Sequence, residues 1–383
     1  MAKCDVVIQV TTLGQGGTER YAKDLAIGLA QRQVRPFVVY DSPPENLKQE
    51  IESVGIPTYC IEDGNTGDIS RYAKRLAALL RDLQPRLLHA NAWRRLNSVA
   101  RVARSVGTPL VIVRHGTDNL PRLRDILGLN RLPFYLYRER AMMRKCGGGL
   151  ICVSREGLDR ARKRYGTRIP MRMVYTGVPE GETIARVAGV ADNPQVIWAG
   201  EMCNRKRPVL ALRAFAQVQR KLPGIRLLML GDGPELELVR NAAAAMALEG
   251  VTIPGYIPNP LPQLYQSHLF LNTACSEGLP YSVRDAMSVG LPVVATDAGG
   301  TREAVIHQET GLLAPIDDER AIAVYMERLL RDPSLRQAYG VAGLALCRAR
   351  FSLDEMISGT LRAYHDLCGV DFAASRNTQQ YKA

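Results

Sequence analysis

A chain of 383 residues exceeds the size at which one hydrophobic core usually keeps growing, so two domains are expected. Its 46% apolar and 23% charged content excludes a disordered or fibrous protein. The formal charge of +12 is concentrated: residues 71–172 carry 24 basic against 6 acidic side chains, while residues 181–383 hold 20 against 21.

In chain order, the apolar run at 6–10 predicts a buried parallel strand. A glycine-rich turn and a helix from 18 to about 33 follow it. Strands are expected at 36–40, 86–90, 110–114 and 150–153, with helices at 70–83 and 97–105, and a segment at 171–175 closes this half. Alternating β and α elements of these lengths imply a parallel sheet covered on both faces. The stretch 177–193 contains Gly, Pro and acidic residues and marks a boundary between an N-terminal domain, 1–180, and a C-terminal domain, 181–352. There strands are expected at 195–199, 225–230, 251–253, 269–272, 292–296 and 311–313. Helices are expected at 208–220, 234–247, 282–289, 302–306 and 320–330. Ser352-Leu353-Asp354-Glu355 fits a capping box that opens a last helix, 353–369, before a polar tail, 370–383. The fold class is α/β, two Rossmann-like doubly wound parallel sheets in series.

Residues 1–12 show no signal-peptide pattern, and the uncharged stretch 251–276 contains four prolines, which argues against a membrane span. The eight cysteines lack Cys-x-x-Cys or zinc spacing. Reduced thiols and a cytoplasmic setting are expected, with no cofactor and no metal. The basic stretch suits an anionic membrane surface, an anionic acceptor or nucleic acid. Arginine-rich solvated helix faces would produce the same count. Residues 130–145 interleave aromatics with arginines and could rest on a membrane. No nucleic-acid module is recognisable, so nucleic acid is the least favoured partner.

Ligands of doubly wound sheets sit beyond the carboxyl ends of the strands, so the loops there carry the candidate chemistry. Gly14, Gly16 and Gly17 could bring backbone N–H groups close to an anionic or hydroxylated ligand, although a tight turn needs the same residues. The third glycine of the dinucleotide fingerprint is missing, as is the Gly-Lys-Ser/Thr of a Walker loop. His115 ends a strand and could bond a substrate hydroxyl or simply the backbone. Arg205, Lys206 and Arg207 precede a helix and could hold a diphosphate or be solvated. Glu277 lies in a Gly/Pro loop with Gly278 and Leu279. Asp285 follows eight residues later, and either carboxylate could accept a pair of sugar hydroxyls, although Asp285 could instead serve only the helix dipole. Gly299 and Gly300 offer backbone donors near another helix start.

These segments together resemble glycosyltransferase family 4, the retaining sugar-nucleotide-dependent transferases of GT-B fold. The long signature is Ser-Glu-Gly-Leu-Pro-Tyr-Ser-Val-Arg-Asp-Ala-Met-Ser-Val-Gly-Leu-Pro-Val-Val-Ala-Thr-Asp-Ala-Gly-Gly at 276–300. Supporting matches are Gly16-Gly17-Thr18-Glu19, Arg114-His115-Gly116, Val153-Ser154, Gly231-Asp232-Gly233-Pro234 and Thr310-Gly311-Leu312-Leu313. The resemblance implies two domains facing across a cleft, with the last helix crossing back to the first. It implies transfer of a sugar from a nucleotide-diphosphate donor to an acceptor hydroxyl, in lipopolysaccharide, polysaccharide or other glycoconjugate synthesis.

By motif, Glu277 would contact the donor sugar and Asp285 the ribose. Lys206 would contact the diphosphate, with Arg205 beside it. Gly16 and Gly17 would approach the donor phosphate or sugar, and His115 the sugar. Gly278, Leu279, Gly299 and Gly300 complete the implied donor site. Two positions depart from the pattern. Glu201 stands where the family often has Arg, and Asp285 is one methylene shorter than the family's Glu. Both also suit a non-catalytic binder of nucleotide sugars. The resemblance further implies a front-face route with no protein nucleophile. The basic stretch, and not the resemblance, suggests an anionic or lipid-linked glycan acceptor and peripheral contact with the inner face of a membrane.

Overall fold

The computed structural model describes residues 4–62, 68–91, 95–116, 141, 148–179 and 193–372. The aromatic and basic segment 130–138 lies outside the described residues, as do positions 180–192 of the expected boundary. The chain divides into two compact units: residues 1–177 with 353–383, and residues 178–352.

Unit 1 is built from β1 (Val6–Val10), α1 (Gly17–Gln31), β2 (Pro36–Tyr40), α2 (Lys48–Ser53), β3 (Thr58–Cys60), α3 (Ile69–Leu83), β4 (Leu87–Ala90), α4 (Leu96–Val106), β5 (Leu110–Arg114), β6 (Gly149–Cys152), α5 (Arg155–Tyr165) and β7 (Met171–Met173). All seven strands are parallel, in the order β3-β2-β1-β4-β5-β6-β7. The buried runs of β1, β4, β5 and β6 are what a sheet covered on both faces requires. On α3, Tyr72, Leu76, Leu79, Leu80 and Leu83 recur at helical spacing and are buried. The Asp68 carboxylate caps that helix, accepting the N–H groups of Ser70 and Arg71 at 2.8 and 3.1 Å.

Unit 2 holds β8 (Gln195–Ala199), α6 (Pro208–Gln219), β9 (Arg226–Leu230), α7 (Leu236–Ala245), β10 (Val251–Gly255), α8 (Leu261–Gln266), β11 (Leu269–Asn272), α9 (Tyr281–Ser288), β12 (Val293–Thr296), α10 (Thr301–Ala304), β13 (Gly311–Ala314), α11 (Glu319–Arg331) and α12 (Pro333–Arg350). Its six parallel strands run β10-β9-β8-β11-β12-β13. The last helix, α13 (Leu353–Cys368), returns to unit 1 and packs on α1 and the sheet there.

Among the described residues, four helices and one strand were not anticipated. β3 is a three-residue strand at the sheet edge, too short to show a pattern. α2 and α8 have six residues each, and α5 is mostly charged, with Leu158, Ala161 and Tyr165 as its apolar anchors. The 18 residues of α12 include Gly340 and Gly343, which lower helix propensity. Tertiary packing explains Gly340: a Cβ there would overlap the Gly290 carbonyl oxygen, which follows α9.

Candidate functional site

In each sheet the strand order reverses beside the first strand of the unit. Such switch points open a crevice at the carboxyl ends of the strands. In unit 2 the crevice lies between β8 and β11, and the loops following these two strands carry Arg205, Lys206 and Glu277.

These loops are stitched together. The Cys275 N–H donates to the Arg205 carbonyl at 2.9 Å. The Thr273 hydroxyl lies 2.9 Å from the carbonyls of Lys206 and Arg207, and it accepts the Trp198 indole N–H at 3.1 Å. The Lys206 ammonium is thereby held on the Glu277 carboxylate, with which it pairs. Arg205 Nη1 reaches the other carboxylate oxygen at 3.3 Å and the Ser276 carbonyl at 3.2 Å. The Glu277 side chain is only 7% exposed, so two cations are needed to keep its charge tolerable.

Glu201 is 59% exposed and lies 3.7 Å from Arg205. The residue that departs from the family pattern therefore leans on the neighbouring cation. The amide of Gly300 donates to the Glu277 carbonyl at 3.0 Å. Gly299 has φ +58°, and a Cβ there would overlap the same carbonyl oxygen. These two glycines brace the Glu277 backbone. Gly231, at φ +137°, likewise lets the loop after β9 lie against the Gly200 carbonyl.

Gly278 and Leu279 are buried in the turn before α9. Arg284 holds that turn from within α9. Its guanidinium donates to the carbonyls of Leu279 at 3.2 Å and Pro280 at 3.4 Å, over the Tyr281 ring at 4.3 Å. It is fully buried, and sequence reading assigned it no role of its own. Asp285 is buried in the second turn of the same helix.

Unit 1 places Gly16, Gly17 and His115 on loops at the carboxyl ends of its own strands. Gly16 is the extended residue before α1, and with Gly17 it is exposed. The Glu19 side chain folds back over Gly16 and accepts the Thr12 hydroxyl at 3.1 Å. His115 follows β5, and its Nε2 lies 3.0 Å from Oδ1 of Asn91, which follows β4. The Tyr21 ring meets His115 edge-on, centroids 4.7 Å apart. Behind them His89 is wholly buried, 2.7 Å from the Tyr364 hydroxyl of α13. Burial, with His115 nearby, pushes the His89 pKa down to about 3. His89 and Asn91 at the end of β4 meet Tyr364 and His115 from distant parts of the chain, in no recognisable motif, so sequence reading missed them.

Among the described residues no group of three or more His, Cys, Asp or Glu side chains could hold a metal ion. The seven described cysteines are free thiols. No described helix is long and apolar enough to cross a membrane.

Residues 15–182 match the family model described as Glycosyltransferase Family 4, and residues 193–332 the one described as Glycosyl transferases group 1. The chain is 29% identical over 210 residues to a GDP-mannose-dependent alpha-(1-6)-phosphatidylinositol monomannoside mannosyltransferase of Mycolicibacterium smegmatis, a match covering 50% of this chain and 55% of that one. It thus spans about half the length of that relative. It is 27% identical over 352 residues to the lipopolysaccharide core biosynthesis glycosyltransferase LpsE of Rhizobium meliloti, covering 91% and 95%. The structure is similar in fold to Anabaena HepE in complex with UDP and glucose, with a TM-score of 0.80 and 19% identity over 95% of this chain and 100% of that one. With the two family models together taking in most of its length, and with the doubly wound pair of sheets they imply, the chain belongs to the group 1 glycosyltransferases of family 4.

Proposed function

We propose that this protein is a retaining glycosyltransferase that moves a sugar from a nucleoside-diphosphate donor to an acceptor hydroxyl in glycoconjugate synthesis. The observation that carries this reading is the Lys206–Glu277–Arg205 cluster at the switch point of unit 2. Glu277 is the acceptor for donor-sugar hydroxyls, and Lys206 and Arg205 take the diphosphate. The diphosphate would enter as a second anionic partner of these cations, which stay beside Glu277. Glu201 is exposed and yields Arg205 at small cost. Asp285 is assigned to the ribose, and His115 with Gly16 and Gly17 to the sugar and phosphate.

In the transfer step the anomeric carbon–phosphate oxygen bond breaks as the acceptor oxygen bonds the same face of that carbon. The acceptor proton passes to the departing diphosphate. Lys206 and Arg205 stabilise the charge growing on that group. No metal is assigned a part, since the two cations neutralise the diphosphate.

The donor base is the open choice. The Mycolicibacterium relative is described as GDP-mannose-dependent, and the Anabaena structure holds UDP. Thermal unfolding with UDP, GDP, ADP and their sugar conjugates decides it. One nucleotide should stabilise, by about 2.7 kcal/mol at a hundredfold excess over Kd, and its correct sugar conjugate more. Turnover then separates a transferase from a binder. Lys206→Ala should lower kcat/KM about 10²- to 10³-fold, and undiminished turnover would sink the role given to Lys206. A second reading, a binder without turnover, is favoured by the Glu201–Arg205 contact, and nucleotide stabilisation with no sugar transfer would establish it.

The acceptor is proposed to be anionic or lipid-linked, with the protein resting on an anionic membrane. An open groove of about 690 Å³ between α3 and α4 supports this. Its floor is Ala73, Ala77 and Val102, its rim is Lys74, Arg81 and Arg101, and no carboxylate lines it. Flotation with phosphatidylglycerol vesicles should exceed flotation with neutral ones and fall with salt. Equal flotation would remove the membrane from this reading.

A further inference from the structure

We infer that Glu201 discriminates between donor and product at the proposed diphosphate site: its carboxylate, lodged against Arg205, repels the nucleoside diphosphate more than the nucleotide sugar and so favours release of the product. The inference rests on the proposed function, and its test separates the two.

Both ends of the Arg205 guanidinium are engaged. Nη1 faces Glu277 at 3.3 Å and Nη2 faces Glu201 at 3.7 Å. The two carboxylates differ in kind. Glu277 is buried and shared with Lys206, whereas Glu201 is exposed beside a partly exposed Arg205. A diphosphate that comes from solvent to Arg205 therefore arrives next to Glu201. Arg207 adds no further cation there, because its Nε lies 3.1 Å from Asp317.

The Glu201 charge cannot withdraw far. Its backbone is pinned on both sides: the Gly200 N–H donates to the Leu230 carbonyl at 3.0 Å, and the Met202 N–H to the Asp232 carbonyl at 2.8 Å. The carbonyl of Glu201 itself accepts the Cys203 N–H at 2.9 Å. Only rotation of the side chain remains, and it leaves the carboxylate within about one Debye length, ~8 Å, of Arg205.

Transfer makes the ligand more anionic. The bond between the anomeric carbon and the phosphate oxygen breaks, and the diphosphate keeps the electron pair and takes the acceptor proton. A terminal phosphate loses its second proton near pH 6, so at neutral pH that proton passes to water. The product then carries one negative charge more than the donor. A carboxylate several ångströms away in water opposes each added unit charge by about threefold in Kd.

The test is isothermal titration calorimetry of the full-length wild type, Glu201→Gln and Glu201→Asp. The ligands are whichever of UDP, GDP and ADP stabilises the wild type, and its glucose or mannose conjugate. Glu201→Gln should tighten both ligands, and the nucleoside diphosphate about threefold more than the conjugate. That gap should narrow as salt rises. In turnover the same variant should show stronger product inhibition, with kcat lowered where release limits the rate. Glu201→Asp keeps the charge and should keep the wild-type ratio of the two affinities. A ratio unmoved in Glu201→Gln, in an enzyme that still transfers sugar, would overturn this inference and leave the proposed function standing. An equal change of the ratio in both variants would show that the shape of the side chain acts and its charge does not. A wild type that binds none of these ligands would remove the proposed function, and this inference with it.

Discussion

Glu277 owes its place to a turn that only glycine can make, because Gly299 sits at φ +58° with the Glu277 carbonyl against it. Gly299→Ala should destabilise the protein by about 1–3 kcal/mol and weaken nucleotide-sugar binding more than nucleotide binding, both measurable by thermal shift. A second residue-scale effect concerns pH. Burial, opposed by bonds from Gln9 and Tyr72 and by Arg95, raises Asp41 from 3.8 to about 6. Between those values the folded state holds a proton that the unfolded chain has lost, so this group makes stability fall as pH rises. His89 does the reverse: its pKa drops from 6.5 to about 3, the unfolded chain holds the extra proton, and stability rises with pH. Between about pH 4 and 6 the two nearly cancel. Asp41→Asn removes one of them, so its stability should climb with pH more steeply than the wild type by up to about 1.4 kcal/mol per unit. Parallel curves of unfolding free energy against pH would refute this balance.

At the scale of elements, close approaches between helices set the packing. Gly28 of α1 faces Ile357 of α13, and a Cβ at 28 would lie 2.5 Å from the Ile357 side chain. Ion pairs fasten the same helix, Arg32 to Asp354 and Arg172 to Asp366, the latter at 2.8 Å. They are exposed and contribute little, so the apolar seam decides where α13 sits. Gly28→Val should push α13 off α1 and cost about 1–3 kcal/mol, as overpacking usually does. Adding Ile357→Ala should recover part of the loss. A double mutant no more stable than Gly28→Val would show that the seam is not what the valine disturbs.

Over the whole molecule, the two units differ in continuity. Unit 2 is one stretch, 178–352, whereas unit 1 needs its last helix from the far end of the chain. That helix buries Met356, Ile357, Tyr364 and Leu367. At about 1.5–3 kcal/mol each, these side chains rival the entire 5–15 kcal/mol margin of a typical domain. Deleting residues 353–383 should therefore unfold unit 1 while unit 2 keeps its protection in hydrogen exchange. Equal loss of protection in both units would mean that unit 2 does not fold by itself.

Local sequence determined much of this protein. Apolar runs such as 110–114 and 269–272 mark buried strands wherever they occur, because a strand covered on both faces must be apolar throughout. Glu277, Lys206 and Arg205 were legible because each sits within a contiguous motif at a strand's carboxyl end. Tertiary structure alone decided the rest. That Lys206 and Arg205 pair with Glu277, across some seventy residues of chain, depends on β8 and β11 lying side by side. Gly340 reads as a helix breaker until Gly290 is seen against it. The pairings of Tyr364 with His89 and of His115 with Asn91 carry no pattern at all, since hydrogen bonds between distant side chains leave no periodicity in a single sequence.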